Sequence, residues 1–353
     1  MATETLLMNL ILFGGLFTLA GGYFWKDRRA HLLRLVGSLL LALFFVYEVV
    51  RIIEAGKDVW NVTFTAMAAP VFLFVAWQEY LSWLWDEDNE SLKWITGTAF
   101  VAGLIYYGFD RIPALSAAII WVTAAESIWM GQLFGYGWDM AVGEIIWGPD
   151  HVSVDIENAT VRIILACTGI EAIVIFVGAI FATQMRQDPW KQYRDPDQPK
   201  YLRLRAMTPK ERALRAMLIT TSVIWVGNLL RNVMIIFLVE DVGWDFDFVH
   251  SDIGKSMSFV ILLVLAFVTF NLMPEMLDNI SGIVSLVNRK SPEERRQEEL
   301  EKERAKKEKE EKGEKEEKGE KEEKGDDGDG EPPDDDDVDE EGPTDPPEDA
   351  EGA

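Results

Sequence analysis

Three side chains able to carry acyl transfer follow one another in this chain. They are the thiol of Cys167 in "ACTG", the guanidinium of Arg231 in "NLLRN" and the imidazole of His250 in "HSDIG". Cys167 is the only cysteine. A thiolate, not a thiol, is the nucleophile, and a neighbouring guanidinium or imidazolium stabilises it against an apolar surrounding. Attack on an amide makes a tetrahedral oxyanion that a fixed cation holds. An imidazole can protonate the departing amine and later deprotonate the incoming nucleophile. Asn228 precedes Arg231 by three positions, so on a helix both share a face. It either holds the guanidinium or meets a substrate carbonyl. Glu171, one helical turn beyond Cys167, either pairs with Arg231 or packs a helix interface.

Each residue also has a plainer reading. A lone buried cysteine is more often a small hydrophobe. A histidine at a membrane interface is more often an amphipathic packing residue. An arginine inside an apolar span is rarely idle, because its burial in lipid is costly. One cysteine excludes an internal disulfide and a cysteine-based metal cluster. The three histidines, His31, His151 and His250, are scattered. No metal site and no organic cofactor is expected.

The composition divides the chain. It has 353 residues, of which 48% are hydrophobic and 26% charged, with a net charge of −25. Residues 1–288 hold nearly all the large apolar side chains, and residues 289–353 are almost wholly Glu, Lys, Asp, Gly and Pro. A membrane-crossing helix takes about 20 apolar residues. Stretches near 5–25, 34–54, 62–85, 92–109, 161–183, 214–239 and 256–284 qualify. The first lacks the flanks of a cleaved leader and is read as a retained span. The segment 111–138 begins near Pro113, carries Glu126 and is rich in Trp, and is read as interfacial or re-entrant. Basic segments mark the cytoplasmic side. They are "WKDRRAHLLR", the long stretch from 186 to 215 and "NRKSPEERR". With all three inside, seven spans follow and the N-terminus lies outside. Eight spans remain the rival count.

The fold class is therefore an all-α polytopic transmembrane helix bundle with a disordered acidic C-terminal tail. Three regions are expected: N-terminal transmembrane helices over 1–110, a catalytic transmembrane region over 111–288 and a charged low-complexity cytoplasmic tail over 289–353. In the tail, helix is expected for a turn or two after Pro292, and the Gly- and Pro-rich remainder cannot bury a core. On helical geometry Cys167 lies roughly 9 Å and Arg231 roughly 12 Å below the outer boundary, on antiparallel neighbours, so the two meet at one level.

The order of "LACTGIEAI" (165–173), "NLLRN" (228–232) and "HSDIG" (250–254) resembles the exosortase/archaeosortase family of multi-span membrane cysteine transpeptidases. The resemblance covers roughly 100–285. It implies that Cys167 forms an acyl-thioester and that Arg231 is a proton donor or oxyanion stabiliser. It puts His250 at a third position, as acid/base or as transition-state stabiliser. The implied substrates are exported proteins, such as S-layer glycoprotein, whose C-terminal signal has a Pro-Gly-Phe-type motif, a transmembrane helix and a basic cluster. A membrane lipid is the implied acceptor of the new C-terminus. The implied location is the cell membrane, with the site toward the extracytoplasmic face. Nucleic acid is not an expected partner. The rival class is a transporter or lipid-binding protein using Arg231 and Glu171. A scaffold acting through the acidic tail is a third.

Overall fold

The computed structural model describes residues 2–56, 59–148, 151–183, 196–197, 200 and 207–323. The chain divides into two units, Met1–Arg289 and Lys290–Ala353.

The first unit is a helix bundle capped by a small sheet. Four long helices open it: α1 (Ala2–Phe24), α2 (Arg29–Glu54), α3 (Val59–Trp85) and α4 (Glu90–Arg111). Helix α5 (Pro113–Leu133) follows with Pro113 in its first turn, where a missing N–H costs nothing. Strands β1 (Ala141–Trp147), β2 (Val152–Glu157) and β3 (Arg162–Ile164) form an antiparallel sheet in that order. A 3-10 turn, Leu165–Thr168, leads into the short helix α6 (Ile170–Ala182). Helix α7 (Pro209–Glu240) starts at a capping box, in which Thr208 and Glu211 satisfy each other's backbone N–H groups. A π-helical turn, Phe248–Gly254, opens α8 (Lys255–Leu272), and α9 (Pro274–Ser285) closes the unit.

Among the described residues six helices are long and apolar enough to cross a membrane: α1, α2, α3, α5, α7 and the run Phe248–Leu272. Helix α4, at 22 residues, has the length and packs within the same bundle, and Phe100 joins Leu12, Leu16, Leu41 and Phe44 in one buried cluster. Large apolar side chains such as Leu10, Phe17, Leu43, Phe64, Leu73, Leu218, Phe259 and Phe267 face outward. In water that surface would be a liability, and in lipid it is the required solvent-facing side. The chain is a multi-pass membrane protein with an all-α bundle as its body.

Side-chain contacts define two ends. At one, buried Arg34 reaches Glu79 at 2.7 Å, Trp94 donates to the Ala179 carbonyl at 3.0 Å, Arg212 pairs with Glu275 at 2.7 Å and Arg289 donates to Ser82 Oγ at 2.9 Å. This end gathers the α1–α2 connection, the ends of the α6–α7 connection and the residues after α9. The α1–α2 connection, Arg212 at the start of α7 and Arg289 thus lie at one end. At the other, Ser116 donates to the Phe109 carbonyl at 2.7 Å, Tyr136 to the Val233 carbonyl at 2.9 Å, and Thr160 to Glu240 at 2.6 Å. Both ends of α5 therefore lie in the half that holds the sheet. Its length alone would allow a crossing, but these contacts match a segment that returns to the side it entered from.

Two expected spans are built differently. The apolar run 161–183 is no single helix: Arg162–Ile164 pair with β2, the chain turns at 165–168, and Gly169 at φ +75° separates the turn from α6. Helix α6 has 13 residues, about 20 Å. The run 256–284 breaks at Met273, because Pro274 cannot donate to the preceding turn. The sheet itself has no counterpart in the helical reading of the sequence.

In the second unit α10 runs from Pro292 to Glu323, well beyond the one or two turns read from the sequence. Ser291 and Glu294 cap its start reciprocally. Dense Glu and Lys at three- and four-residue spacings favour helix despite the glycines. The Gly- and Pro-rich stretch 324–353, read from the sequence as disordered, lies outside the described residues.

Candidate active site

Cys167 sits in the 3-10 turn between β3 and α6, not on a membrane helix, and is buried. Depth counted by helical rise therefore does not apply to it. Two amides hold its backbone: Asn228 and Asn232 on α7 both donate to the Cys167 carbonyl, the latter at 3.0 Å. Asn232 also lies 3.5 Å from Ser127 Oγ on α5. Thr168 closes the turn on itself, donating to the Leu165 carbonyl at 2.7 Å. Gly169 follows with the left-handed backbone that glycine tolerates. A Cβ there would stand 3.2 Å from Asn228 Cβ, so the close approach of turn and α7 also favours glycine.

Arg231 lies between those two asparagines in sequence and is 7% exposed. Its charge and the Cys167 thiol are close enough to interact. Arg231 Nε is buried with no hydrogen-bond partner. Such an orphan donor is costly unless something absent fills it. Gly254, the last residue of the π turn, packs against the guanidinium: a Cβ there would be 3.1 Å from Arg231 Nε. π-helical turns are rare and concentrate at functional sites.

His250 lies in that same turn, four residues before Gly254. Its ring stacks on Phe246, with centroids 5.3 Å apart and planes 11° from parallel. Thus the structure brings Cys167, Asn228 and Arg231 together, and places His250 on the element that closes over Arg231. Glu171 is turned elsewhere. It accepts from Tyr106 of α4 at 3.0 Å and makes no ion pair with Arg231. Of the two roles open for Glu171, packing between α4 and α6 is the one present.

Sequence reasoning named Asn228 and Glu171 as supports. Asn232 carries the same bond, and "NLLRN" holds the signal, since positions four apart share a helix face. Ser127, Tyr106 and Gly254 gave no such signal, for their partners are remote in sequence.

The chain is similar to archaeosortase A of Haloferax volcanii, with 22% identity over 283 residues, covering 70% of this chain and 82% of the relative. This likeness supports the archaeosortase family. At that level it implies a protease or transpeptidase of exported proteins, seated in a membrane by several apolar helices. No family model matches the chain. No solved structure matches it.

Proposed function

We propose that the chain is a membrane cysteine transpeptidase of the archaeosortase A type. It cleaves the C-terminal sorting signal of exported surface proteins, S-layer glycoprotein among them, and transfers the new C-terminus to a membrane lipid. The observation that carries this reading is the buried pairing of Cys167 with an Arg231 whose Nε has no protein partner. A thiolate nucleophile needs a cation beside it, and an oxyanion needs a donor left vacant for it.

The steps follow from the chemistry of these groups. Cys167 gives its proton to His250, the thiolate Sγ attacks the scissile carbonyl carbon, and the carbonyl π electrons move to oxygen, where Arg231 stabilises the charge. The C–N bond breaks as the oxyanion collapses, and His250 supplies the proton that the departing amine takes with the membrane helix. The thioester is then attacked by a nucleophilic group of a lipid headgroup, His250 takes its proton, and the thiolate leaves. Asn228 and Asn232 fix the turn so that Sγ keeps its position. The sheet end faces the extracytoplasmic side, since the α1–α2 connection, Arg212 and Arg289 lie at the other. A motif just outside a substrate's membrane helix then arrives at the level of the site.

The test follows the size of a substrate bearing the C-terminal signal in cells that carry Cys167→Ala or Cys167→Ser. Processing is expected to fall at least about 1,000-fold for both, as loss of a nucleophile does in other covalent enzymes. Full processing by Cys167→Ala would remove the covalent mechanism.

A further inference from the structure

We propose that the outer edge of β3 is the substrate-binding strand: the extended segment of the exported protein just before the scissile bond pairs with Arg162–Ile164. This rests on the transpeptidase reading above. Strand β3 is the last of the three, pairing with β2 through Ser153↔Ile164, Val154↔Ile163 and Asp155↔Arg162. Among the described residues its other edge carries no main-chain hydrogen bond. An unpaired strand edge is a template for an incoming chain, in which main-chain bonds give affinity and alternate side chains give selectivity.

What singles out this edge is where it leads. The chain passes from Ile164 directly into the turn that bears Cys167, and Ile164's backbone hydrogen-bonds the thiol. The Cys167 carbonyl is held by Asn228 and Asn232, so the register between β3 and the thiol is fixed. A peptide laid along β3 is delivered to Sγ without a further device. Direction agrees as well. Strand β3 runs from the sheet toward the bundle, and an exported protein whose membrane helix is C-terminal runs the same way. The pairing is parallel, and its slanted, evenly spaced bonds suit a short and reversible contact.

The two faces of the sheet differ. Ile163 is buried in the core against Ile120 of α5, whereas Arg162 is exposed and bonds Asp155 at 2.6 Å. On the Arg162 side a cleft of about 380 Å³ is lined by Gly143, Glu144, Asp155, Glu157 and Thr160 as well as Arg162. The cleft lies over β1 and β2 and reaches β3 only at Arg162, and its three carboxylates against one guanidinium leave that face acidic.

The experiment uses the full-length chain in liposomes. Its probe is a synthetic peptide with a Pro-Gly-Phe motif, an apolar helix and a basic end. Single N-methyl groups are placed in turn on the five residues before the cleaved bond. Each removes one N–H donor and blocks pairing only where that group faces β3. At least a tenfold loss in kcat/KM is expected at alternate positions, with the intervening ones within about threefold. Substrate methylation leaves the protein's own folding untouched. Losses without alternation, or no losses, while the unmodified peptide is cut would overturn the strand pairing and leave the transpeptidase reading intact. An unmodified peptide left uncut by the chain with Cys167 in place would overturn both.

Discussion

The asparagine pair is the part of the site that protein side chains build completely. Asn228 and Asn232 converge on one carbonyl from one face of α7, and that carbonyl belongs to the residue bearing the thiol. Asn232→Ala leaves one of the two bonds, in a buried setting where a lost amide partner costs about 1–3 kcal/mol. Its expected effect is a roughly tenfold or greater fall in kcat with KM little changed, measured with the reconstituted chain. A rise in KM alone would show that the amide serves binding. Gly169 makes a sharper case. Its φ of +75° strains any other residue, and a methyl group there would crowd Asn228 at 3.2 Å. Gly169→Ala combines backbone strain of about 1–3 kcal/mol with that crowding. It should lower the unfolding midpoint in detergent and abolish processing, while Gly21→Ala, whose Cβ would meet only Leu33 at 3.5 Å, should do neither. Cys167 and Arg231 stood out as candidates because each is unusual in an apolar run. The role of Glu171 was not legible, because its partner Tyr106 lies 65 positions earlier on another helix.

Among the elements, hydropathy and length located the long helices, since a bilayer demands about 20 apolar residues whatever else they do. The same measure failed on 161–183. Strand, turn and short helix are there all apolar, so composition ran together what backbone geometry separates. Val161 and Ile163–Ile164 favour a strand, and Gly169 marks the break, but their weight appears only once β2 supplies the partner. The π turn was likewise invisible, since nothing in "FVHSDIG" forbids an ordinary helix. Far from the site, α2 and α3 are locked by ion pairs. Glu79, wholly buried, takes Arg34 Nε at 2.7 Å and lies 2.8 Å from His31 Nδ1, and Arg34 also donates to the Gly22 carbonyl. Removing one partner of a buried pair costs about 3–5 kcal/mol, because the other is left uncompensated. Glu79→Ala should therefore lower thermal stability in detergent strongly. The fraction that remains folded should keep its normal kcat, which would separate the role of this end from that of the site.

For the whole molecule, the distribution of basic segments gave the arrangement of the bundle before any contact was known. The α1–α2 connection, the ends of the α6–α7 connection and the residues after α9 all gather at the end opposite the sheet. The residues that build the candidate site all belong to the unit Met1–Arg289. Deleting 290–353 is expected to leave processing of a sorting-signal substrate within about twofold. A complete loss would favour a protein that works through its acidic tail. Labelling the single thiol gives a companion result. A small membrane-impermeant reagent added outside should reach Cys167 in denatured-free, sealed cells more readily than the same reagent trapped inside. The reverse preference would turn the bundle over.

The most direct measurement is the mass of the protein during turnover. The reconstituted chain is mixed with substrate peptide, quenched in acid at successive times, digested and weighed. A thioester mechanism gives the fragment containing Cys167 a mass increase equal to the acyl part of the peptide, removed by hydroxylamine. Product accumulating while that fragment keeps its unmodified mass at every time, with Cys167 still fully open to alkylation, would contradict it.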